Sequence, residues 1–270
     1  MFSLEVFPPK RTSPVGTIYD TLDGLQGLDP DFISVTYGTG KSSDRTLTAR
    51  IAHTVNEYGI PAVAHLTAQY LDKDDVDEAL DLFDQAKVSG VLALRGDRVE
   101  GAEPAGVFDH ASDLAAYIRE KRPNLKIYGA CYPEKHEEAP NIDTDIYWLK
   151  KKMENGAEYA VTQLFYDNRK YFDFVERARQ AGVTIPIIPG IKPFKKLSQL
   201  SMIPKTFKVD LPEELTKEVL KCKNDAEAQQ VGIEWCVQQC KELMKHHIPS
   251  IHFYSIGAVN SIKEVARQIY

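Results

Sequence analysis

The chain has 270 residues, 43% of them hydrophobic and 27% charged, with a formal net charge of −6. That length buries one large core without disulfide or metal staples, and a net-negative chain with no basic stripe argues against a nucleic-acid partner. Small anionic ligands stay within reach, because a site can be locally positive on an acidic protein.

The chain opens on Phe2-Ser3-Leu4-Glu5-Val6-Phe7, without the charged start and long apolar stretch of a secretory signal. No apolar run approaches the roughly 20 residues of a membrane helix, so no membrane partner is expected. The four cysteines, Cys131, Cys222, Cys236 and Cys240, form no C-x-x-C pair. Such sparse usage fits a reducing cytosol, and the expected location is cytoplasmic. Cys236 and Cys240 share a helix face and read as two packed small hydrophobes rather than metal ligands, and no metal is expected.

Eight short β-rich runs follow in chain order: Phe2–Phe7, Phe32–Tyr37, Pro61–Thr67, Gly90–Arg95, Lys126–Tyr132, Tyr159–Phe165, Ile185–Ile191 and Ile251–Ile256. Several are apolar almost throughout, as strands buried on both faces of a parallel sheet are. Between them, 44–58, 73–88, 142–154, 168–181 and 225–246 carry apolar residues at the three-and-four spacing of half-buried helices. Gly156 and Gly182 stand as stops. Alternating strands and helices in a chain of this length predict an α/β fold, a closed (β/α)8 TIM barrel spanning 1–270 as a single domain. The rival, an open doubly wound sheet, lacks the Gly-x-Gly-x-x-Gly turn after its first strand. The longest connection, between strands seven and eight, holds Pro204 and Pro212 and is read as one or two extra helices.

Gly40-Lys41-Ser42, after an apolar strand, resembles the end of a phosphate-binding loop. That loop needs a glycine five positions before Gly40, and Val35 stands there, inside a β-branched run. In a barrel the stretch becomes the second strand and its βα loop, at the catalytic face.

Barrel active sites gather at the C-terminal ends of the strands. The polar residues placed there are Glu5, Thr36 and Tyr37, His65 and Thr67, Arg95 and Asp97, Tyr132 with Glu134 and His136, Gln163, and Tyr254. Any one of them alone, His65 included, also reads as a satisfied hydrogen-bonder or solvated loop residue. Glu5 alternates with Ser3 and Phe7, facing the barrel interior, while Leu4 and Val6 face the helices. A desolvated carboxyl has a raised pKa and serves as a general acid near neutral pH. The alternative is a structural carboxylate paired with a lysine or arginine.

Taken in order, "FSLEVFPPK", "FISVTYG" with "DRT", "AHLT", "LALRGD", "YGACYPEKHEEA", "LKKKMENGAEYAVTQLFYD", "IIPGIKP" and "IHFY" resemble the methylenetetrahydrofolate reductase family over nearly the whole chain. The resemblance implies non-covalent FAD at the C-terminal face and ping-pong reduction of 5,10-methylenetetrahydrofolate to 5-methyltetrahydrofolate, with NADH or NADPH as electron donor. Glu5 matches the family's general acid, which opens the folate's five-membered ring to a 5-iminium cation that takes hydride from flavin N5. Asp97 matches its aspartate beside flavin and pterin. Gln163 and Gln199 match its folate contacts, and Tyr254 is placed with them at the substrate. The flavin contacts carried over are Thr36, Tyr37, His65, Leu66, Arg95, Gly96, Asp97, His110, Ala111, Tyr132, His136, Asp145, Lys151 and Lys152. Two positions depart from the pattern. Ile203 stands where many members have an aromatic residue, and Ala258 where the family often has an arginine. The regulatory region of animal relatives is not expected here.

The departures leave a second reading open, a flavin and folate subunit reduced by an iron–sulfur partner protein. A homo-oligomer is left open too. A Schiff-base barrel lyase would need Lys192, just past strand seven, which otherwise reads as a solvated loop lysine. A non-catalytic folate-binding relative would be indifferent to the loss of Glu5.

Overall fold

In the computed structural model, residues 2–8, 16–25, 27–37, 45–255 and 258–270 are described. Eight parallel strands close a barrel in sequence order: β1 (Phe2–Val6), β2 (Phe32–Val35), β3 (Ala62–Thr67), β4 (Gly90–Leu94), β5 (Lys126–Cys131), β6 (Tyr159–Leu164), β7 (Ile187–Ile191) and β8 (Ile251–Tyr254). The expected (β/α)8 architecture is thus the observed one. The five expected helices are α2 (Arg45–Glu57), α3 (Lys73–Gln85), α5 (Ile142–Glu154), α6 (Asn168–Gln180) and α9 (Asp225–Lys245). Three more, α1 (Gly16–Gly24), α4 (Ala111–Lys121) and α10 (Val259–Ile269), complete the outer ring. The β7–β8 connection does hold two extra helices before α9, namely α7 (Gln199–Phe207) and α8 (Glu213–Lys221). Residues 38–44, with the glycine–lysine–serine of the β2–α2 loop, lie outside the described residues. Val35 is buried at the end of β2, where a phosphate loop would need its first glycine.

Side-chain parity organises the barrel. Leu4, Val6, Ile33 and Val35 face outward and pack with Ile18, Leu22, Ile51, Val55 and Ile262 from the helices. Facing inward, Val63, Leu92, Tyr128, Val161 and Ile188 join Phe32, Leu94 and Tyr159 in an apolar plug. Ser3 sits beside it, its hydroxyl 2.7 Å from His252 Nδ1, and His252 stacks on Phe32 with ring centroids 5.9 Å apart. The barrel is therefore filled below, and its polar side chains are displayed only toward the mouth. Cys236 and Cys240 are buried in the strand–helix core of α9, packed as small hydrophobes. No described helix is long and apolar enough to cross a membrane.

The extra helices have a core of their own. Leu164, Tyr166, Phe194, Ile203, Val209, Leu215, Val219 and Ala228 pack together over the β6–β7 side of the barrel. Gly232 of α9 lets that helix lie directly on the β7–α7 loop, because a Cβ there would fall against the Phe194 carbonyl oxygen and within 2.7 Å of Phe194 Cβ. The obstacle is backbone, so a rotamer change cannot relieve it. Gly232→Ala is expected to cost stability at the upper end of the roughly 1–3 kcal/mol typical of overpacking, read as a lower urea midpoint at unchanged slope.

Candidate active site

The C-terminal ends of β1 to β6 and β8 surround a cavity of about 400 Å³, within the usual size range of small-molecule sites. Of the residues expected at the site, Glu5, Thr36, Tyr37, His65, Arg95, Gly96, Asp97, His110, Ala111, Tyr132, His136, Asp145, Lys152, Gln163 and Tyr254 all line it. Leu66, Glu134, Lys151 and Gln199 do not. Leu66 is one residue out of phase with His65 and is buried among the helices. Lys151 lies on the flank of α5, where it pairs with Glu154 at 2.7 Å. The Gln199 side-chain oxygen accepts from the Lys195 and Lys196 amides at 2.6 and 2.9 Å, which pins the start of α7. Ile203 and Ala258 are also buried away from the cavity, Ile203 within the core of the extra helices.

Glu5 is 6% exposed. Its main-chain carbonyl accepts from the Ser255 hydroxyl, which ties β1 to the residue after β8. Burial pushes the carboxyl up to about 8, with Lys192 pulling the other way, so the group is a neutral acid at pH 7. His65 Nε2 lies 3.6 Å from Glu5 Oε2, too far for a hydrogen bond, and is buried without a partner among the described residues. Burial drives His65 down to about 3, so the imidazole is neutral and the two groups do not form a salt bridge. The paired-carboxylate alternative for Glu5 thus finds no direct ion-pair partner among the described residues, while Lys192 acts on it at longer range.

Across the mouth, Arg95 and Lys152 stand among the carboxylates of Asp97 and Asp145. Arg95 donates to both oxygens of Glu138 at 2.6 and 2.9 Å, a bidentate pair that fixes the guanidinium plane. Lys152 donates to the Ala130 carbonyl at 2.7 Å, and burial lowers its pKa. Asp145 accepts from the His136 amide at 2.6 Å, and His136 sits edge-on to Tyr132 with centroids 4.7 Å apart. Gly96 adopts φ +97°, and a Cβ there would come within 3.1 Å of Thr67 Cβ. That backbone carries Arg95 and Asp97 to the rim in a conformation other residues rarely take. On β6 the register slips by one residue against β7 between Val161 and Leu164, and this bulge turns Gln163 into the mouth.

Some lining residues were not foreseen. Trp148 stacks on His110 with centroids 3.6 Å apart, and Tyr70 and Phe207 add apolar wall beside Phe7, which strand parity already turns inward. Helical arithmetic could have found Trp148: Asp145, Trp148 and Lys152 stand at i, i+3 and i+7 and share one face of α5, whereas Lys151 is turned off it. Lys192 is also corrected. It is 3% exposed rather than solvated, and burial lowers it to about 8.

A filled barrel with a polar mouth carrying both signs of charge over the strand ends defines a (β/α)8-barrel protein with a ligand site at its C-terminal face. The chain matches the family described as methylenetetrahydrofolate reductase over residues 1–270. It is 34% identical to "Methylenetetrahydrofolate reductase (NADH) 1" of Arabidopsis thaliana, with 96% of this chain and 46% of that protein covered. It is 32% identical to "5,10-methylenetetrahydrofolate reductase" of Pectobacterium carotovorum subsp. carotovorum, covering 94% of this chain and 85% of that one. The chain thus belongs to the methylenetetrahydrofolate reductase family, and spans about half the length of the plant and yeast relatives it matches. Among solved structures, an uncharacterized protein from Clostridium thermocellum that binds two copies of 5-methyl-5,6,7,8-tetrahydrofolic acid superposes with a TM-score of 0.69 at 17% identity, covering 100% of this chain and 93% of that chain. That likeness concerns the fold.

Proposed function

We propose that the chain reduces 5,10-methylenetetrahydrofolate to 5-methyltetrahydrofolate with FAD as bound cofactor and NADH or NADPH as donor. The observation that carries this reading is the neutral, buried Glu5 carboxyl at the edge of a cavity whose opposite wall holds Arg95 and Lys152. Family membership supplies the substrate class.

The residues present suit a flavin dinucleotide. Arg95 and Lys152 offer cationic donors for pyrophosphate or ribityl oxygens. Asp145 offers an acceptor for sugar hydroxyls. The first residue of α4, Ala111, borders the cavity and presents a helix N-terminus there. Thr36, Tyr37, Gly96, His110, Tyr132 and His136 are the remaining lining contacts. The neutral His65, with a ring nitrogen buried and unpartnered among the described residues, is a hydrogen-bonding group suited to a ligand atom. Leu66 can contribute only through its backbone. When bound, FAD supplies a hydride carrier that serves nicotinamide and folate in turn.

The chain's own side chains then divide the work. Glu5 gives its proton to the folate nitrogen that leaves the methylene bridge, and the iminium that results is the hydride acceptor. Asp97 at the rim stabilises that cation electrostatically. Gln163 and Tyr254 orient the pterin. Gly96 and the bulge in β6 hold Asp97 and Gln163 at their stations. The plug beneath excludes water from below.

A purified, FAD-loaded chain is expected to be yellow and to bleach on anaerobic titration with NADH. A colourless protein that refuses FAD contradicts the proposal. The burial of Ile203 and Ala258 away from the cavity favours one further reading, in which two contacts to nicotinamide or folate are missing and electrons arrive from an iron–sulfur partner protein. NADH oxidation by the isolated chain with menadione as acceptor separates the two. Turnover supports direct reduction, and full flavin occupancy without turnover supports the partner.

A further inference from the structure

Lys192 has no part in the scheme above, yet it is a lysine only 3% exposed, one residue past the end of β7. Such groups are costly to bury and are retained where a partner or a function compensates. Among the described residues it makes no hydrogen bond or close ion pair, so its compensation has to come from a charge at longer range.

The strand register identifies that charge. Ile191 is level with Phe253 on β8, and Leu4 and Glu5 are level with Phe253 and Tyr254. Lys192, one residue past Ile191, therefore stands at the level of Tyr254 and Glu5 on three successive strands. Parity agrees. Ile191 is buried in the strand–helix core, whereas a Cβ on Gly190 would meet the inward Tyr254 ring at 2.6 Å, and Lys192 follows Gly190 by two. Tyr254 is fixed between them, its hydroxyl donating to the Thr162 carbonyl at 2.6 Å. Thr162 Oγ1 in turn accepts from the Gly190 amide at 2.8 Å.

We propose that Lys192 is a positioning residue for the acid step, the fixed counter-charge for the carboxylate left on Glu5 once its proton has gone to the folate nitrogen. No proton leaves Lys192 in this step. The O–H bond of Glu5 breaks, an N–H bond forms on the leaving nitrogen, and the negative charge created in the dry mouth is met by an ammonium already in place. Among the described residues, the other titratable groups facing Glu5 cannot serve. His65 on β3 is neutral, and Tyr254 on β8 is uncharged, its pKa pushed up by burial. Lys195 bears on Lys192 with the same sign and makes it easier to deprotonate. Glu5 and Lys192 each move the other toward its charged form.

The inference rests on the reading of Glu5 as the acid, so the test carries a readout independent of turnover. The carboxylic C=O band of Glu5, isolated by infrared difference against Glu5→Gln, is titrated with pH in the ligand-free chain and in Lys192→Met. Loss of the counter-charge is expected to move the Glu5 midpoint up by about one pH unit or more, with Lys192→Arg returning it toward the parent value. In the flavin-loaded protein, Lys192→Met is expected to slow the folate half-reaction about tenfold or more, while reduction by NADH keeps its rate. A Glu5 midpoint unmoved in Lys192→Met overturns the proposal. If that variant does not fold, Lys192→Gln is titrated in its place, with the same outcomes. Were Glu5→Gln itself fully active, the acid reading would fall while the infrared shift still reported the charge pair, so the two failures are told apart.

Discussion

Glu5→Gln is expected to load FAD and accept electrons from NADH as the parent does, and to slow the folate half-reaction by about 10²–10⁴-fold, the usual range for removing a general acid. The amide keeps the shape and neutrality of the protonated carboxyl and removes only the transferable proton. The pH dependence has the same origin. The acid is competent while protonated, so the parent's folate half-reaction holds through neutrality and falls as pH rises through about 8. Stability follows the same sign. The folded chain retains a proton that the unfolded chain releases above the ordinary value of 4.5. The contribution of neutral Glu5 is fully present below that value and is lost as pH rises through 8. Glu5→Gln is expected to flatten that slope in urea titrations run at several pH values. A variant with parent-like folate kinetics would remove Glu5 from the chemistry.

Arg95→Ala is expected to raise the Kd for FAD by about 10–100-fold, from the loss of charge-assisted hydrogen bonds worth roughly 1.5–3 kcal/mol. In the ligand-free chain Arg95 is held by both oxygens of Glu138, so its guanidinium is oriented before any ligand arrives. Arg95→Lys is expected to recover only part of the affinity, because an ammonium cannot reproduce the planar fork. Gly96→Ala tests the neighbouring backbone. A Cβ at φ +97° meets the Thr67 side chain and disturbs the rim segment between Arg95 and Asp97. The expected result is weaker FAD binding at a cost of about 1–3 kcal/mol of strain. Fluorescence titration of the apoprotein with FAD reads all three variants, and an Arg95→Ala chain with unchanged affinity would remove Arg95 from the cofactor site.

The architecture was legible because parallel barrel strands are buried on both faces, and their apolar runs cannot be mistaken for solvated loops. Among the helices, α5 begins at Ile142 and ends at Glu154 as its spacing predicts. The helices α1, α4 and α10 went unread. α1 is short, α4 follows a long polar segment after β4, and α10 follows the last strand with no further strand to frame it. In the site, strand parity placed Glu5 correctly, and applied to β3 it separates His65, which faces in, from Leu66, which faces out. Lys151 and Lys152 are neighbours in sequence but about 100° apart on α5, a distinction that residue-by-residue matching cannot make. What no local pattern reveals is burial at a distance. Lys192 reads as a loop lysine until eight strands close around it, and Phe207 comes from a helix whose place depends on the core of the extra helices.

The central claim is that a neutral carboxyl on the first strand protonates a folate held against a reduced flavin. Its most direct test is anaerobic mixing of NADH-reduced, FAD-loaded chain with 5,10-methylenetetrahydrofolate, following flavin absorbance and product together on both sides of pH 8. The account predicts that flavin colour returns in step with 5-methyltetrahydrofolate, and that the rate declines on the alkaline side. Flavin that stays bleached with folate yet recolours with menadione, or a rate that climbs with pH, would contradict it.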